Sequence, residues 1–382
     1  MTHPPLEQHA FPPPPRCPAV GRSVLMVSRG LDPVGTGRQI ELAARGFCAA
    51  GWNVHLAVTT AGGAVAGRLS RSGIVVHRLS SRPVVDGAAA VRLVRLARRL
   101  GLGATDALLA WGRSQMTLAA AVKLLRPRLP CISHLAVPPR GRLAAASLRR
   151  VDRVIASSAA VAMACERAGV AAAKIDTIPP GAEAAAAAGL ARGELATRLG
   201  LDREKIWTLC VAPLVAESRL ERLLWAIDQL GVVHRRLEHV LVGGGPLRDR
   251  LLRRARAQRV DERLHLFDHL DCLPDLLRET RLVWQSGEVA CGGGLLDAMA
   301  LGIPTVAVAS DASRQLIVDA ETGRLVPAEP ESEFPRRALR IIEDDALAER
   351  YGAAARTRAA AEFPVERMVA GIIAALEREV DR

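Results

Sequence analysis

The chain has 382 residues, 49% of them hydrophobic, a length that allows two domains with a core each. Its composition argues against two classes of protein. No apolar run approaches the roughly 20 residues that span a bilayer, and aromatic residues, at 3% of the chain, are too few to form base-stacking platforms for nucleic acid.

The net charge of +12 is unevenly distributed along the chain. Residues 1–200 carry 26 basic and 10 acidic side chains, whereas residues 201–382 carry 26 and 30. A basic half favours an anionic partner, such as a membrane surface or a phosphorylated lipid, and the alternative is a solvated arginine-rich surface. We expect no nucleic-acid partner.

The N-terminal segment 1–20 is rich in proline and is predicted to be a disordered tail. It lacks the basic start and continuous apolar core of a secretory signal. We therefore expect a cytoplasmic protein, with a peripheral contact at the inner face of the membrane as one consequence of the basic half.

From residue 21 to residue 180, short apolar runs alternate with helical patterns. SVLMVS (23–28) predicts a buried strand, and the loop DPVGTG leads from it into a helix that begins at Arg38. The same order continues through strand-like segments at 53–60, 73–80, 106–112, 129–136 and 151–158, with helical patterns over 88–100 and 114–125. This alternation is typical of a doubly wound α/β domain with a parallel sheet.

Residues 181–205 are rich in Ala and Gly and are predicted to connect the first domain to a second, over 206–361. The second series has strand-like segments at 207–213, 239–246, 264–270, 281–286, 305–310 and 324–327, with helical patterns between them. The closing segment, 362–382, predicts an amphipathic helix that packs back on the first domain. Two Rossmann-like domains in series predict a cleft between them, with ligands outside the carboxyl ends of the strands.

Several motifs occur in the order seen in one enzyme family. They are VDRVIASSAAV in the first half, then VGGGPLRDRLLRRA, SGEVACGGGLLDAMALGIPTVA and DAETGRLVP in the second. From residue 22 onward the chain resembles the family four retaining glycosyltransferases, which have the GT-B architecture of two Rossmann-like domains facing across a cleft. The resemblance implies transfer of a sugar from a UDP-, GDP- or ADP-sugar to a hydroxyl of a glycan, lipid or small molecule, with retention of anomeric configuration. It also implies an acceptor-side first domain and no obligatory cofactor.

The loop Gly35-Thr36-Gly37 lies between a strand and a helix, where backbone N–H groups and the helix dipole favour an anion. In the family such a loop lies beside the donor phosphates; the alternative is an ordinary tight turn. For the second glycine run, Gly243–Gly245, we favour a packing role.

An acidic pair eight positions apart carries the family's chemistry: the first acid contacts the transferred sugar and the second holds the ribose hydroxyls. Asp297 matches the second position, and its carboxylate can bind a diol. The first position falls on Val289, but Glu288 lies beside it. Glycines 292, 293 and 294, between the two acids, can absorb a shift of one residue. Otherwise Glu288 is a solvated loop acid.

The family also has an Arg and a Lys that neutralise the donor diphosphate, and here Pro213 and Ser218 stand in their places. Two charge-assisted hydrogen bonds at about 1.5–3 kcal/mol each are thereby lost. Arg219 and Arg38 are the candidate replacements, because a guanidinium can bind a phosphate bidentately. The alternative is that both are surface residues.

His134, after the strand-like LPCIS, matches a position where related enzymes place a histidine near the acceptor and the reacting sugar; a satisfied structural histidine is the alternative. The other histidines and the seven cysteines show no metal-ligand spacing, so no metal site is predicted.

Three other functions compete with sugar transfer. A catalytically degenerate GT-B protein that binds a nucleotide, sugar or partner without turnover is favoured by Pro213, Ser218 and Val289 together. A nucleotide-sugar epimerase fits the second-domain motif order less well. An NAD-dependent dehydrogenase lacks its GxGxxG fingerprint here.

Overall fold

A computed structural model describes residues 21–31, 35–59, 63–79, 87–184 and 187–382. The proline-rich segment 1–20 and residues 32–34 of the DPVGTG loop lie outside these ranges. Among the described helices, none is both long and apolar enough to cross a bilayer.

The first domain is a seven-stranded parallel sheet in the order β3-β2-β1-β4-β5-β6-β7. Its inner strands are continuous apolar runs because helices cover both faces of the sheet. The elements are β1 Ser23–Ser28, α1 Thr36–Ala49, β2 Asn53–Val58, α2 Gly63–Arg71, β3 Val75–Arg78, α3 Gly87–Arg99, β4 Ala107–Trp111, α4 Arg113–Leu125, β5 Cys131–Leu135, α5 Arg142–Arg150, β6 Arg153–Ala156, α6 Ala159–Arg167 and β7 Ile175–Thr177.

The second domain is a six-stranded parallel sheet in the order β10-β9-β8-β11-β12-β13. Its elements, with the helices at either end, are α7 Arg192–Leu199, β8 Ile206–Val211, α8 Leu220–Val233, β9 Leu237–Val242, α9 Arg248–Ala257, β10 Leu264–Phe267, α10 Leu273–Arg278, β11 Leu282–Gln285, α11 Leu295–Leu301, β12 Thr305–Val308, α12 Asp311–Leu316, β13 Arg324–Val326, α13 Glu333–Glu343, α14 Asp345–Glu362 and α15 Val365–Val380. The predicted class, two doubly wound α/β domains, is confirmed.

Helix α7 lies within the segment that the sequence assigns to the interdomain connection. Leu195 and Leu199, one turn apart, are buried in the core formed by β8, α10 and α11. The Ala and Gly content around this short helix hides its apolar face, which explains why composition alone indicates a linker there.

The chain passes between the domains at two adjacent points. The backbone N–H of Ala182 donates to the carbonyl of Phe363 at 2.7 Å, so the outgoing and returning segments lie side by side. After the return, α15 packs its apolar face into the core of the first domain beside α1. A buried ion pair between Arg153 and Glu379, at 2.9 Å, adds to this contact.

Candidate active site

The two sheets present the carboxyl ends of their strands to each other, and side chains meet across the gap. The Thr36 hydroxyl hydrogen-bonds the thiol of Cys291, and the Gln315 side chain donates to the Ser157 carbonyl at 2.8 Å. A Cβ added at Gly35 would lie 3.2 Å from the carbonyl oxygen of Ala290. The loop that follows β1 and the loop that follows β11 therefore touch.

The glycine run before α11 is required by close packing. Gly293 has a φ of 55°, and a Cβ there would lie 2.7 Å from the Val211 carbonyl oxygen. At Gly294 a Cβ would lie 2.9 Å from the Val211 Cβ. Glycine at these positions lets the start of α11 rest directly against the end of β8.

Gly243 and Gly245, after β9, have a similar packing role. A Cβ at Gly243 would overlap the carbonyl of Ala212, and one at Gly245 would lie 2.5 Å from the carbonyl oxygen of Leu214. These contacts support the packing role favoured from the sequence.

Asp297 lies in the first turn of α11 and is 8% exposed. Burial, together with the nearby acids Glu41 and Glu183, raises the pKa of its carboxyl group to about 6, in spite of the guanidinium of Arg38. The Arg38 Nε atom lies 3.8 Å from the Asp297 Oδ1 atom. The guanidinium of Arg38, from the first domain, and the carboxylate of Asp297, from the second, therefore meet in a buried position.

Arg38 is itself surrounded by carboxylates. It contacts Glu41 at 3.2 Å and Glu183 at 3.3 Å, in addition to Asp297. Glu41 also accepts two hydrogen bonds from Arg68, at 2.8 and 2.9 Å. In this structure the partners of Arg38 are three acids, which lie in α1, in α11 and in the segment that leaves the first domain after β7. The predicted contact of Arg38 with a phosphate stays a prediction.

Glu288 follows β11 and is half-buried beside the N-terminus of α12. Its carboxylate accepts hydrogen bonds from the Ser310 side chain and from the backbone N–H groups of Asp311 and Ala312, while burial, the largest effect, raises its pKa. Glu288 lines a cavity of about 10 Å³ between the domains, enough for a single water molecule. Its neighbour Val289 is buried in the core.

The turn after β8 contains the two positions that lack the family's cations. The hydroxyl of Ser218 donates to the carbonyl of Pro213 at 2.7 Å, so this side chain closes its own turn. Arg219, next along the chain, is exposed and adopts a left-handed conformation with φ 49° at the start of α8. Among the described residues it has no ion-pair partner.

His134 lies in β5 and is 2% exposed, with its ring stacked on Trp111 at a centroid distance of 3.9 Å. Burial lowers the pKa of His134 to about 3, so the ring is neutral at physiological pH. The structure thus places this histidine beneath the surface of the first domain, and its predicted contact with the reacting sugar stays a prediction.

Three charged residues at the cleft were not singled out from the sequence. Arg113 follows β4, Arg140 follows β5, and Glu217 lies in the turn after β8, where it contacts Arg140 at 3.2 Å. In the sequence, the two arginines could have been identified as cleft residues because they follow the carboxyl ends of two neighbouring strands. Within the described parts of the chain, no group of three or more His, Cys, Asp or Glu side chains could hold a metal ion.

Family comparisons cover both halves of the chain. Residues 33–185 match the family described as Glycosyltransferase Family 4, and residues 192–358 match Glycosyl transferases group 1. No curated protein sequence matches the chain.

Solved glycosyltransferase structures share the whole architecture. HepE from Anabaena, in complex with UDP and glucose, is 19% identical, with 94% of this chain and 100% of that chain covered and a TM-score of 0.77. Sucrose-phosphate synthase from Thermosynechococcus elongatus is 17% identical, with coverage of 94% and 99% and a TM-score of 0.75. A glycosyltransferase from Rickettsia africae is 13% identical, with coverage of 94% and 99% and a TM-score of 0.73.

At these identities the structural likeness concerns the fold. The two family matches lie in the order and in the domains where the motifs were found, so the resemblance stated from the sequence is confirmed. With a Glycosyltransferase Family 4 domain followed by a Glycosyl transferases group 1 domain, the chain belongs to the GT-B glycosyltransferases.

Proposed function

We propose that the protein transfers a sugar from a UDP-, GDP- or ADP-sugar to a hydroxyl acceptor with retention of anomeric configuration. The observation that carries the proposal is the buried Asp297 beside Arg38, where the glycine loops of the two domains meet. A buried carboxylate whose pKa is raised costs stability, and such groups are concentrated at functional sites. The UDP and glucose in the HepE complex support the same class of donor.

In this proposal Asp297 accepts hydrogen bonds from the ribose hydroxyls, and Glu288 contacts the transferred sugar. The backbone N–H groups near Gly35–Gly37 and Gly292–Gly294 stabilise the leaving diphosphate. Arg219 supplies a positive charge to that diphosphate, and Arg38 lies nearby to hold Asp297. Neutral His134, whose ring nitrogens have no hydrogen-bond partner among the described residues, supplies a hydrogen bond to the sugar.

A panel of ligands tests the proposal directly. We expect one nucleoside diphosphate among UDP, GDP and ADP to raise the melting temperature, because a ligand that binds only the folded state stabilises it. The matching nucleotide sugar, incubated with candidate acceptors, is expected to give a product whose anomeric configuration, measured by NMR, is that of the donor. Inversion would exclude the retaining mechanism.

A catalytically degenerate GT-B protein is the second candidate. It is favoured by Ser218, whose side chain is used inside its own turn, and by Val289, which is packed in the core where the family has an acid. If a nucleotide stabilises the protein but no acceptor yields product, this reading is favoured over turnover. If no nucleotide binds, the donor site itself is absent.

Replacing Arg219 with Ala is expected to weaken nucleoside diphosphate binding by about 1.5–3 kcal/mol and to leave binding of the bare nucleoside nearly unchanged. The reason is that only the diphosphate carries the charge that this exposed arginine is proposed to meet. Calorimetry with both ligands measures the contrast. Arg235→Ala, just beyond the C-terminal end of α8, is the matched control, because its side chain is also exposed and has no ion-pair partner among the described residues. An equal loss of affinity for the two ligands would mean that Arg219 acts on folding.

We also propose that the basic first domain binds anionic membranes. Helix α3 presents Arg95, Arg98 and Arg99 to solvent, and each arginine near an anionic surface contributes roughly 1 kcal/mol. Sedimentation with phosphatidylserine-containing vesicles is expected to exceed that with phosphatidylcholine vesicles at low salt, and substitution of the three arginines by Gln is expected to reduce it. Equal sedimentation with both kinds of vesicle would rule out this contact.

A further inference from the structure

Two arginines of the first domain emerge at the same edge of its sheet. β4 and β5 are parallel neighbours, with Trp111 paired to His134. Arg113 is the first residue of α4, directly after β4, and Arg140 lies in the loop between β5 and α5. Because the carboxyl ends of parallel strands lie along one edge, both guanidinium groups are brought to the mouth of the interdomain cleft.

The positive charge of this pair is only partly compensated. Burial and the neighbouring charge of Arg140 lower the pKa of Arg113, and within the described residues its side chain has no ion pair or hydrogen bond. Arg140 contacts Glu217 of the second domain at 3.2 Å. One carboxylate therefore faces two guanidinium groups, and that carboxylate belongs to the other domain.

Arg140 lies further out than the proposed donor site, and Arg113 is half-buried. The side chains of Arg140 and Glu217 are 68% and 42% exposed, whereas those of Arg38 and Asp297 are 9% and 11% exposed. A molecule that enters the cleft from solvent therefore meets Arg140 before it reaches Arg38 and Asp297. Because Glu217 belongs to the second domain, its contact with Arg140 means that this guanidinium faces the cleft.

We propose that Arg113 and Arg140 bind a phosphate group of the acceptor, so that the acceptor belongs to the class of phosphorylated hydroxyl compounds. The inference rests on the proposed sugar transfer and narrows its acceptor. Two guanidinium groups from adjacent loops suit a dianion, because each can donate paired hydrogen bonds to phosphate oxygens. In this structure the carboxylate of Glu217 contacts Arg140 at the position proposed for that anion.

Titration with inorganic phosphate at constant ionic strength tests the inference, in the presence of a saturating concentration of whichever of UDP, GDP or ADP raises the melting temperature. That nucleoside diphosphate occupies the donor site, so the remaining phosphate binding reports on the second anion site. We expect Arg113→Gln and Arg140→Gln each to weaken phosphate binding about tenfold. Glu217→Gln is expected to strengthen it severalfold, because a competing carboxylate is removed. Arg150→Gln, at the far end of α5, loses the same charge and is expected to change nothing.

A parallel titration of each variant with the same nucleoside diphosphate separates the two proposals. Loss of phosphate affinity with unchanged nucleoside diphosphate affinity supports the acceptor site. Loss of both affinities in the arginine variants places the pair on the donor diphosphate and overturns the acceptor assignment. Equal phosphate binding in all four variants, or none in the parent, overturns the anion site itself. Failure of the parent to bind any nucleotide contradicts the proposed sugar transfer. The phosphate titration, then run without nucleotide, still shows whether Arg113 and Arg140 bind an anion. Melting temperatures identify any variant that is misfolded.

Discussion

Replacing Asp297 with Asn is expected to make the protein more stable and to weaken its binding of nucleotide. The unfolding free energy should rise by about 2–3 kcal/mol at pH 8, because the substitution removes a buried charge whose carboxyl pKa is raised from 3.8 to about 6. Loss of the carboxylate as acceptor for the ribose diol should weaken nucleoside binding by roughly tenfold. Gain of stability with loss of affinity is typical of a residue kept for function.

The stabilising effect of Asp297→Asn depends on pH. Between pH 3.8 and about 6 the folded protein holds the Asp297 proton more tightly than the unfolded chain does, so stability from this group falls as pH rises through that window. The cost is complete above pH 6 and absent well below pH 4. The difference in unfolding free energy between Asp297→Asn and the parent should therefore shrink from pH 8 towards pH 4. Urea denaturation at several pH values measures it, and a difference independent of pH would contradict a buried carboxylate of raised pKa.

Apolar periodicity was sufficient to predict the two sheets, because parallel strands buried on both faces appear as short uninterrupted runs such as SVLMVS. It was insufficient for α7, where only Leu195 and Leu199 mark the buried face. Short helices between strands, such as α5, were missed because nine residues are too short a window to show a helical period.

The candidate site shows a different limit of sequence reasoning. The order of the motifs identifies Asp297 from the sequence alone, because the helix and the glycine loop around it are local features of the chain. The cation beside Asp297 is determined by how the two domains approach each other. It is Arg38, which in this structure contacts acids. Arg113 and Arg140 have no motif of their own, and only the pairing of β4 with β5 brings them together.

Replacing Arg38 with Ala is expected to destabilise the protein by about 3–5 kcal/mol, because it leaves buried carboxylates without their shared cation. Glu41 keeps Arg68 and Glu183 keeps Arg45, so the acid most affected is Asp297.

The pKa of Asp297 should then rise further, and the destabilisation should be larger at pH 8 than at pH 5, where a protonated Asp297 needs no cation. Arg45→Ala is the matched control: its side chain is 41% exposed and also pairs with Glu183, and exposed pairs contribute about 0–1 kcal/mol.

A double-mutant cycle isolates the interaction between Arg38 and Asp297. In the Asp297→Asn background the Arg38→Ala substitution should cost less than in the parent, since the carboxylate that most needs the guanidinium is no longer there, and the difference is the coupling free energy of the pair. A coupling of about 1–3 kcal/mol at pH 8 that declines towards pH 5 is expected for a buried pair in contact. Strictly additive effects at both pH values would mean that Arg38 acts through Glu41 and Glu183 alone. Asp297 would then be free to meet a ribose without first giving up a partner from the other domain.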